Sequence, residues 1–439
     1  MPALSPSYTG PVQLEPPPAI VEIAERLERA GFETWCVGGA VRDALLGVPH
    51  LDWDLATAAT PREVQRIFKR TVPVGIEHGT VGVIGRDERM HEVTTFRADV
   101  ATDGRHATVR FGVSLDEDLA RRDFTINAMA WSTSRGELRD PFDGRGDLAA
   151  GLVRAVGDPP TRMAEDRLRA LRAIRFAARF GFAIEPATWA AIVDSAPHLT
   201  RLSVERVTQE WRKTLEQVAQ PSRAFERWRD AGALTVLLPS LADVPAWAFA
   251  ACDAVPRPEG TSRPERADLR ALVRLALPLL PLPLKQAAAV LRGMRCSNHE
   301  ITVASTIVAA WHDHGDALAE AACALPSAAA LRRLAAAIGR TRVAGVLRAC
   351  TAAWHAQRAA GLAVPPADGV ARLTHHLLRR AWRDAVALSD LAVGGDELRN
   401  AGIPPGPRLG ATLQRLLAAV LDDPACNTRE RLLALAREG

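Results

Sequence analysis

The stretch from residue 33 to residue 57, ETWCVGGAVRDALLGVPHLDWDLAT, constrains the fold more than any other part of the chain. Paired glycines between a strand and a helix let the backbone bend tightly and approach a bulky anion, and the N–H groups of the following helix can bind phosphate. The predicted elements are, in order, a strand at Thr34 to Val37, a turn at Gly38-Gly39, a helical turn from Val41 to Leu46, and a second strand carrying Asp52-Trp53-Asp54.

The two aspartates at the end of this stretch predict a metal site. On a strand, residues two apart share a face, so Asp52 and Asp54 project together while Trp53 points the other way. Adjacent carboxylates repel unless a cation lies between them, and hard oxygen ligands suit Mg²⁺. Arg42 adds a guanidinium fork that matches phosphate oxygens. Each pattern by itself is more often an ordinary turn, but their order and flanking strands favour metal-assisted nucleotidyl transfer.

Composition narrows the class of protein. The length of 439 residues predicts about three domains, and a net charge of +4 restricts any nucleic-acid surface to local arginine clusters. The six cysteines form no Cys-x-x-Cys motif, which predicts free thiols in a reducing cytoplasm. Residues 1 to 18 are rich in proline and serine and predict a disordered lead without a signal pattern. The sequence has no run of about twenty apolar residues, so we predict no transmembrane helix.

Strand and helix signals alternate through residues 19 to 157. Glu92 lies on one predicted strand and is a candidate third carboxylate, although an ordinary exposed strand glutamate fits the pattern equally well. The predicted elements are a helix at Ala19 to Ala30, a helix from the Thr60–Glu63 capping box to about Lys69, strands at Thr80 to Ile84 and His91 to Phe96, a mobile loop at Ala98 to Val113 with an Asp103-Gly104 turn, and a helix opened by the Ser114–Glu117 capping box that carries Arg121 to Asn127.

After Asp158-Pro159-Pro160 the strand signals disappear, and alanine, leucine and arginine dominate to the end of the chain. This change predicts an α/β head followed by an all-helical remainder. Proline- and glycine-rich breaks interrupt the remainder near residues 253–264, 276–284, 364–369 and 403–410, which we interpret as loops.

One helix of this remainder, predicted from Arg162 to Phe182, carries an unusual arginine series. Asp166, Arg169, Arg172 and Arg175 recur every three residues, so they cover half of the helix circumference opposite an apolar side. Asp166 and Arg169 are expected to pair, and this mixed edge could hydrogen-bond the Watson–Crick edge of a base. Periodicity alone favours a solvated amphipathic helix, but surplus positive charge with one acidic partner predicts an anionic ligand.

Taken together, these motifs resemble the class II tRNA nucleotidyltransferases of the polymerase-β superfamily, which are the CCA-adding enzymes and their bacterial poly(A) polymerase relatives. The resemblance covers residues 19 to 240 and resumes more weakly at residues 402–407. The matching motifs are Gly38-Gly39-Ala40-Val41-Arg42-Asp43, Asp52-Trp53-Asp54, Arg121-Arg122-Asp123-Phe124-Thr125-Ile126-Asn127, Glu165-Asp166-x-x-Arg169-x-x-Arg172-x-x-Arg175 and Ser203-Val204-Glu205-Arg206.

The resemblance implies a fold and a set of residue roles. An α+β polymerase-β-like head with a mixed sheet would be followed by an all-α neck, body and tail, with boundaries at 19–157, 158–215, 216–345 and 346–439. Asp52 and Asp54 would hold two Mg²⁺ ions, and Glu92 would complete the catalytic triad. The loop at 98–113 would move as the enzyme passes from C to A addition. The nucleotide-binding residues would be Gly38, Gly39, Arg42, Arg122, Asp123 and Asn127, with Asp166 and Arg169 reading CTP and ATP and Arg172 and Arg175 in support.

The implied partners are CTP, ATP and the acceptor and T-arms of tRNA. The protein is expected to be a monomer and not to bind a membrane. Residues Leu269 to Pro281 lack the His-Asp pair that many bacterial relatives use for phosphohydrolysis, so we predict no hydrolase activity. His312-Asp313 is expected to be a surface dipeptide, and His375-His376 a poor joint metal site. Alternatives that stay open are a CC-only or A-only enzyme, a poly(A) polymerase, a non-catalytic RNA-binding protein and a small-molecule nucleotidyltransferase.

Overall fold

The computed structural model describes residues 14–48, 52–102, 107–256 and 264–438. The chain separates into two compact units, and each is considered by itself. The first comprises Met1–Thr214 and Glu226–Leu237, and the second comprises Leu215–Phe225 and Leu238–Gly439. The finer division into neck, body and tail stays a prediction, and the disordered lead lies largely outside the described residues.

The first unit is built on a mixed sheet, as predicted, and this sheet has seven strands. Its strand order is β3-β4-β5-β2-β1-β8-β9, with β2 and β5 parallel and the other neighbours antiparallel. A separate hairpin is formed by β6 and β7, and β10 pairs with β11. In chain order the strands are β1 (Thr34–Val37), β2 (Asp54–Thr57), β3 (Thr71–Gly75), β4 (Thr80–Ile84), β5 (Met90–Thr95), β6 (Arg97–Thr102), β7 (Ala107–Phe111), β8 (Ala130–Ser132), β9 (Glu137–Arg139), β10 (Leu152–Val153) and β11 (Ala183–Ile184).

In the first unit, helices flank this sheet. The second unit consists of helices, and no strand occurs among its described residues. They are α1 (Pro18–Arg29), α2 (Gly39–Leu45), α3 (Pro61–Ile67), α4 (Leu115–Ala120), α5 (Gly144–Ala150), α6 (Pro159–Glu165), α7 (Leu168–Phe180), α8 (Pro186–Ser195), α9 (Val204–Gln217), α10 (Pro221–Asp230), α11 (Ala233–Leu237), α12 (Pro239–Ala242), α13 (Ala246–Ala250), α14 (Pro264–Ala276), α15 (Leu284–Gly293), α16 (Asn298–Cys323), α17 (Ala328–Ile338), α18 (Arg340–Ala359), α19 (Ala367–Arg383), α20 (Gly395–Asn400), α21 (Pro407–Asp422) and α22 (Arg429–Arg437).

Local sequence signals placed many of these elements correctly. Strands β1 and β4 have the predicted bounds, and α1 and β5 each begin one residue earlier than predicted. Both capping boxes form. The Glu63 carboxylate accepts a 2.7 Å hydrogen bond from the Thr60 N–H, and the Glu117 carboxylate accepts one of 2.9 Å from the Ser114 N–H. These reciprocal bonds satisfy N–H groups that a helix start otherwise leaves unpaired.

The loop predicted at residues 98–113 is instead largely a β-hairpin, so the predicted irregular backbone was wrong, whereas its mobility stays a prediction. Strands β6 and β7 pair antiparallel, with Arg97 opposite Phe111. The base is fixed by tertiary contacts, since the Arg97 N–H donates to Asp118 at 3.3 Å. At Gly79 a Cβ atom would lie 2.6 Å from the Phe111 ring, so only glycine admits this packing. The predicted Asp103-Gly104 turn lies outside the described residues.

Three element boundaries near the predicted site also differ from the sequence prediction. The helical turn after the paired glycines begins at Gly39 rather than Val41, and β2 begins at Asp54, so Asp52 and Trp53 precede the strand. Helix α4 ends at Ala120, and the residues predicted to continue it are non-helical apart from a 3₁₀ turn at Thr125–Asn127.

The single helix predicted from Arg162 to Phe182 is in fact two helices, and the break between them falls at Asp166 and Arg167. Helix α6 ends at Glu165 and α7 begins at Leu168, and Asp166 between them has an extended backbone with φ −146° and ψ 104°. The Asp166 carboxylate accepts a 3.1 Å hydrogen bond from the N–H of Leu168, the first residue of α7. Asp166 is therefore on a turn, not on the helix that carries Arg169.

Candidate active site

A cavity of about 480 Å³ lies in the first unit and gathers most of the predicted site residues. Its positive lining suits an anionic ligand. All predicted nucleotide-binding residues except Arg175 line it, and so does Asp54. The lining residues are Gly38, Gly39, Arg42, Asp54, Arg121, Arg122, Asp123, Asn127, Asp166, Arg169, Arg172, Phe176 and Arg179.

Three carboxylates of this unit interact electrostatically, and one of them, Asp54, lines the cavity. Because β2 runs parallel to β5 with Leu55 opposite Val93, Asp54 lies beside Glu92 on the neighbouring strand. Burial, followed by the negative charges of Asp52 and Glu92, raises the pKa of Asp54 to about 6, and Arg122 opposes this rise. A carboxylate that resists ionisation because of its neighbours is one that a hard divalent cation would stabilise.

These carboxylates do not form a closed metal cage. Among the described residues, no group of three or more His, Cys, Asp or Glu side chains is arranged to hold a metal ion by itself. The mutual repulsion at Asp54 acts over longer distances than direct coordination, so the two observations are compatible. An open oxygen donor set of this kind fits Mg²⁺, which keeps waters and substrate phosphates among its ligands.

The paired glycines bring an arginine against the strand–helix turn. Gly38 has φ 75° and ψ −133°, a conformation that side chains rarely adopt. A Cβ atom at Gly38 would lie 2.9 Å from Nη1 of Arg122. Arg122 donates through Nη2 to Asp118 at 3.1 Å, whereas its buried Nε has no hydrogen-bond partner among the described residues. The Arg122 guanidinium is thus held beside the glycine turn with donor capacity left for a ligand.

Arg42 is positioned differently from the free fork that the sequence predicts. It is 3% exposed, and its Nε and Nη2 donate to Asp43 Oδ1 at 2.8 and 2.6 Å while Nη1 donates to Asn127 Oδ1. Burial lowers the pKa of Arg42, and the Asp43 carboxylate counteracts this. Its direct contact with phosphate stays a prediction, because its guanidinium is already held by Asp43 and Asn127.

Asp123 connects the Arg121–Asn127 segment to α7. Its Oδ1 accepts a 2.9 Å hydrogen bond from Asn127 Nδ2, and its Oδ2 accepts one of 2.8 Å from Arg172 Nε. Burial alone would raise the pKa of Asp123, but the charge of Arg172 and the hydrogen bonds from Asn127, Arg172 and the Phe124 N–H together lower it. The same pairing raises the pKa of Arg172. Asp123 therefore stays ionised and fixes Asn127 and Arg172 at the cavity wall.

The predicted pair between Asp166 and Arg169 does not form. Asp166 Oδ2 instead accepts a 2.8 Å bond from Arg206 on α9. Arg169 Nη1 donates to Glu165 at 2.6 Å, and its Nη2 donates to the Arg121 carbonyl at 3.0 Å. The break before α7 removes the helical spacing on which the predicted pair depended. Both side chains still line the same cavity, each oriented by a separate partner.

The arginines of α7 also pair with a larger number of carboxylates than the sequence suggested. Buried Arg175 donates to Glu210 of α9 at 2.6 Å, and Arg179 donates to Asp43 of α2 at 3.1 Å. The inference that this arc carries one acidic partner was therefore wrong. Positive charge is still in excess at the cavity, because Asp43 is shared by Arg42 and Arg179, and Asp118 by Arg121 and Arg122.

The sequence analysis missed Phe176 and Arg179, which line the cavity, and Phe180, which packs behind it. Phe176 lies 4.4 Å from the Arg175 guanidinium and 5.0 Å from that of Arg42, and Phe180 lies 4.8 Å from Arg42. These rings support cations through cation–π contacts. Phe176 and Phe180 are one helical turn apart, a spacing that the sequence displays but that an apolar helix face explains equally well.

The remaining predictions concern the second unit. His312 Nε2 lies 3.0 Å from the Leu282 carbonyl, and the rings of His375 and His376 are 5.4 Å apart. Across both units, none of the six cysteines, all at described positions, is in a disulfide. Within the described ranges, no helix is both long and apolar enough to cross a membrane.

A mixed sheet that brings together a glycine turn, electrostatically coupled carboxylates and an arginine-lined cavity defines a nucleotidyltransferase head. Residues 34–154 match the family model described as "Poly A polymerase head domain", and residues 181–244 match "Probable RNA and SrmB- binding site of polymerase A". The chain is 36% identical to the CCA-adding enzyme of Geobacillus kaustophilus, with 95% of each chain covered. It is 35% identical to that of Lacticaseibacillus paracasei, with 96% of each covered.

A similar solved structure covers the same length. The crystal structure of the Bacillus stearothermophilus CCA-adding enzyme in complex with CTP is 32% identical, with a TM-score of 0.76 and 96% of each chain covered. Identity at this level over nearly the whole chain shows common ancestry, not only a common fold. The chain belongs to the CCA-adding enzyme family.

Proposed function

We propose that this protein adds CCA to the 3′ end of tRNA, using CTP and ATP and releasing pyrophosphate. The observation that carries the proposal is that one cavity is lined by Asp54, by an excess of arginines, and by Asp166 and Arg169. These groups supply a reactive centre, a triphosphate site and a base-reading edge within the reach of a single nucleotide. The similarity to an enzyme crystallised in complex with CTP supports the nucleotide assignment.

At the reactive centre, Asp52 and Asp54 are proposed to hold two Mg²⁺ ions, with Glu92 beside the 3′-hydroxyl. Bound metal ions of this kind lower the pKa of an attacking hydroxyl and stabilise a leaving pyrophosphate. The chain itself contributes position and charge. The Gly38-Gly39 turn allows close approach of the triphosphate, and Arg122 donates to its oxygens. Family membership implies use of a divalent metal, and the oxygen donor set favours Mg²⁺.

Asp166 and Arg169 are proposed to read the base. Cytosine and adenine both present an exocyclic amino donor beside a ring-nitrogen acceptor, whereas uracil and guanine present a carbonyl at the position of that amino group. Asp166 would accept from the amino group and Arg169 would donate to the ring nitrogen. Arg206 orients Asp166, and Glu165 orients Arg169, at the cavity. The protein would thereby select the base with its own side chains, without a nucleic-acid template.

The RNA partner is proposed to be tRNA, contacted mainly through phosphates of its acceptor and T-arms by the helical part of the chain. We expect a monomer that works in the cytoplasm, where free thiols persist. A CC-only or A-only enzyme has the same catalytic centre and base-reading edge, so the site does not distinguish these activities from full CCA addition.

End-group analysis separates these activities. Three tRNA transcripts that end at the discriminator base, in C, and in CC are incubated with Mg²⁺, CTP and ATP. Extension of all three to CCA is the expected result. Extension that stops at CC, or that occurs only on the CC-ended transcript, would identify a partial enzyme. A long A tail would identify a poly(A) polymerase, and no extension would favour a non-catalytic RNA-binding protein.

The Asp52→Ala protein is the control for this assay. It should bind CTP and tRNA with nearly unchanged affinity while losing transfer, because Asp52 is exposed and supports the metal site rather than the fold. Unchanged turnover in this variant would contradict the metal assignment.

A further inference from the structure

Asp43 is a fully buried carboxylate to which the proposed mechanism gives no role. Its Oδ1 accepts two hydrogen bonds from Arg42, and its Oδ2 accepts one of 3.1 Å from Nη2 of Arg179. Asp43 lies on α2, directly after the glycine turn, whereas Arg179 lies in the last turn of α7. One carboxylate thus joins two arginines from distant parts of the chain at the cavity wall.

The two arginines differ in the donors that they leave available. Arg42 is 3% exposed, and its Nε, Nη1 and Nη2 all donate to Asp43 or Asn127. The Arg179 side chain is 25% exposed, and within the part of the chain that the structure describes Asp43 is its one hydrogen-bond partner. Nε and Nη1 of Arg179 therefore remain available to a ligand in the cavity.

The local charge also favours an anion. Arg42 and Arg179 are close enough for Arg179 to lower the pKa of Arg42, and they share one carboxylate. The Phe180 ring lies 4.8 Å from one guanidinium and 4.9 Å from the other, so it packs against both. Two guanidiniums with one counter-charge leave a net positive charge in a partly desolvated place, where a phosphate group would be stabilised.

We propose that Arg179 is a binding residue for the triphosphate of the incoming nucleotide and that Asp43 is the positioning residue that holds Arg179 beside Arg42. This rests on the proposed nucleotidyl transfer and adds two residues to its site. Since the contact is to phosphate, it is common to CTP and ATP. Asp166 and Arg169 would choose the base, and Arg179 would set affinity for either nucleotide.

The test compares Arg179→Gln, Arg179→Lys and Asp43→Asn in the full-length protein. Arg86→Gln is the matched control, because Arg86 also pairs with one carboxylate, Glu22 at 2.9 Å, but lies outside the cavity. Dissociation constants for CTP, cytidine and inorganic tripolyphosphate are measured by calorimetry with Mg²⁺. KM and kcat for CTP and ATP are measured on tRNA, and thermal unfolding is followed for each variant.

We expect Arg179→Gln to weaken CTP and tripolyphosphate binding by about 10- to 100-fold, the loss typical of a hydrogen bond to a charged group. Cytidine binding and the CTP/ATP preference should be unchanged, with the effect in KM rather than kcat. Arg179→Lys should recover part of the loss, and Asp43→Asn combined with Arg179→Gln should weaken CTP binding by less than the product of the two single effects.

Unchanged tripolyphosphate binding in Arg179→Gln, or equal weakening of cytidine and tripolyphosphate, would overturn the proposal. A lower unfolding temperature without a change in phosphate affinity would also overturn it, because the Asp43–Arg179 pair would then only connect α2 to α7. Calorimetry requires no turnover, so an inactive wild-type protein would refute the proposed function while leaving the result for Arg179 interpretable.

Discussion

Asp54→Asn is expected to inactivate the protein and, in the absence of metal, to stabilise it. The pKa of Asp54 is about 6 in the folded protein against a usual value of 3.8, a difference of about two units that corresponds to about 3 kcal/mol. The folded state therefore binds this proton more tightly than the unfolded state. The free energy of unfolding should fall as pH rises from about 4 to about 6, and the Asp54→Asn substitution removes that loss.

The assay is urea unfolding between pH 4 and pH 8 in EDTA, repeated with MgCl₂. In EDTA, the free energy of unfolding of the wild-type protein should fall by up to about 3 kcal/mol as the pH rises through this range, whereas that of Asp54→Asn should fall by less. Mg²⁺ should restore wild-type stability above pH 6, because a ligand that binds only the folded state stabilises it. It should have little effect on the variant.

Equal pH slopes for the two proteins in EDTA would refute the electrostatic reasoning. A variant less stable than wild type at pH 7 without metal would refute it as well. Asp52→Asn provides an intermediate case. Burial is the largest cause of the raised pKa and Asp52 the second, so this variant should lower the pKa of Asp54 only in part.

Two further predictions concern nucleotide binding. Arg169→Ala should increase misincorporation between CTP and ATP more than it weakens triphosphate binding. Arg162→Ala is its control, since Arg162 also pairs with Glu165 but does not line the cavity; equal loss with both nucleotides and no misincorporation would contradict base reading. Gly38→Ala should raise KM for both nucleotides and cost about 1–3 kcal/mol of stability. Gly47→Ala has a similar positive φ with no described atom within 4 Å of its added Cβ, so comparable KM values in the two variants would rule out displacement of Arg122.

Local physics explains which features the sequence predicted well. A capping box depends on residues three apart, and a strand-to-helix glycine turn depends on adjacent ones. Their signals are therefore complete within a short window, as at Thr60–Glu63 and Ser114–Glu117. Side-chain alternation also worked around the aspartates, with Asp52 exposed, Trp53 buried and Asp54 half-buried, although the strand itself begins only at Asp54.

Pairing over long sequence separations explains what the sequence could not predict. The hairpin of β6 and β7 is fixed at its base by Asp118, which lies twenty-one positions beyond Arg97. Helical periodicity predicted a bond between Asp166 and Arg169, but the helix breaks there and Arg206, forty positions away, takes the place of Arg169. A window of one or two helical turns contains no information about such partners.

The sequence by itself determined the class of chemistry, because a glycine turn, an Asp-x-Asp pair and an arginine series are local patterns of residue type and spacing. Only the tertiary structure decided how the charges are paired. Arg175 is bound by Glu210, thirty-five positions away, and Arg179 by Asp43, 136 positions away. Burying a guanidinium is costly unless an acceptor pairs with it. Which carboxylate pairs with each of these arginines depends on how α2, α7 and α9 pack. The sequence therefore predicted a phosphate site, and the fold decided which of its arginines keep hydrogen-bond donors available for such a ligand.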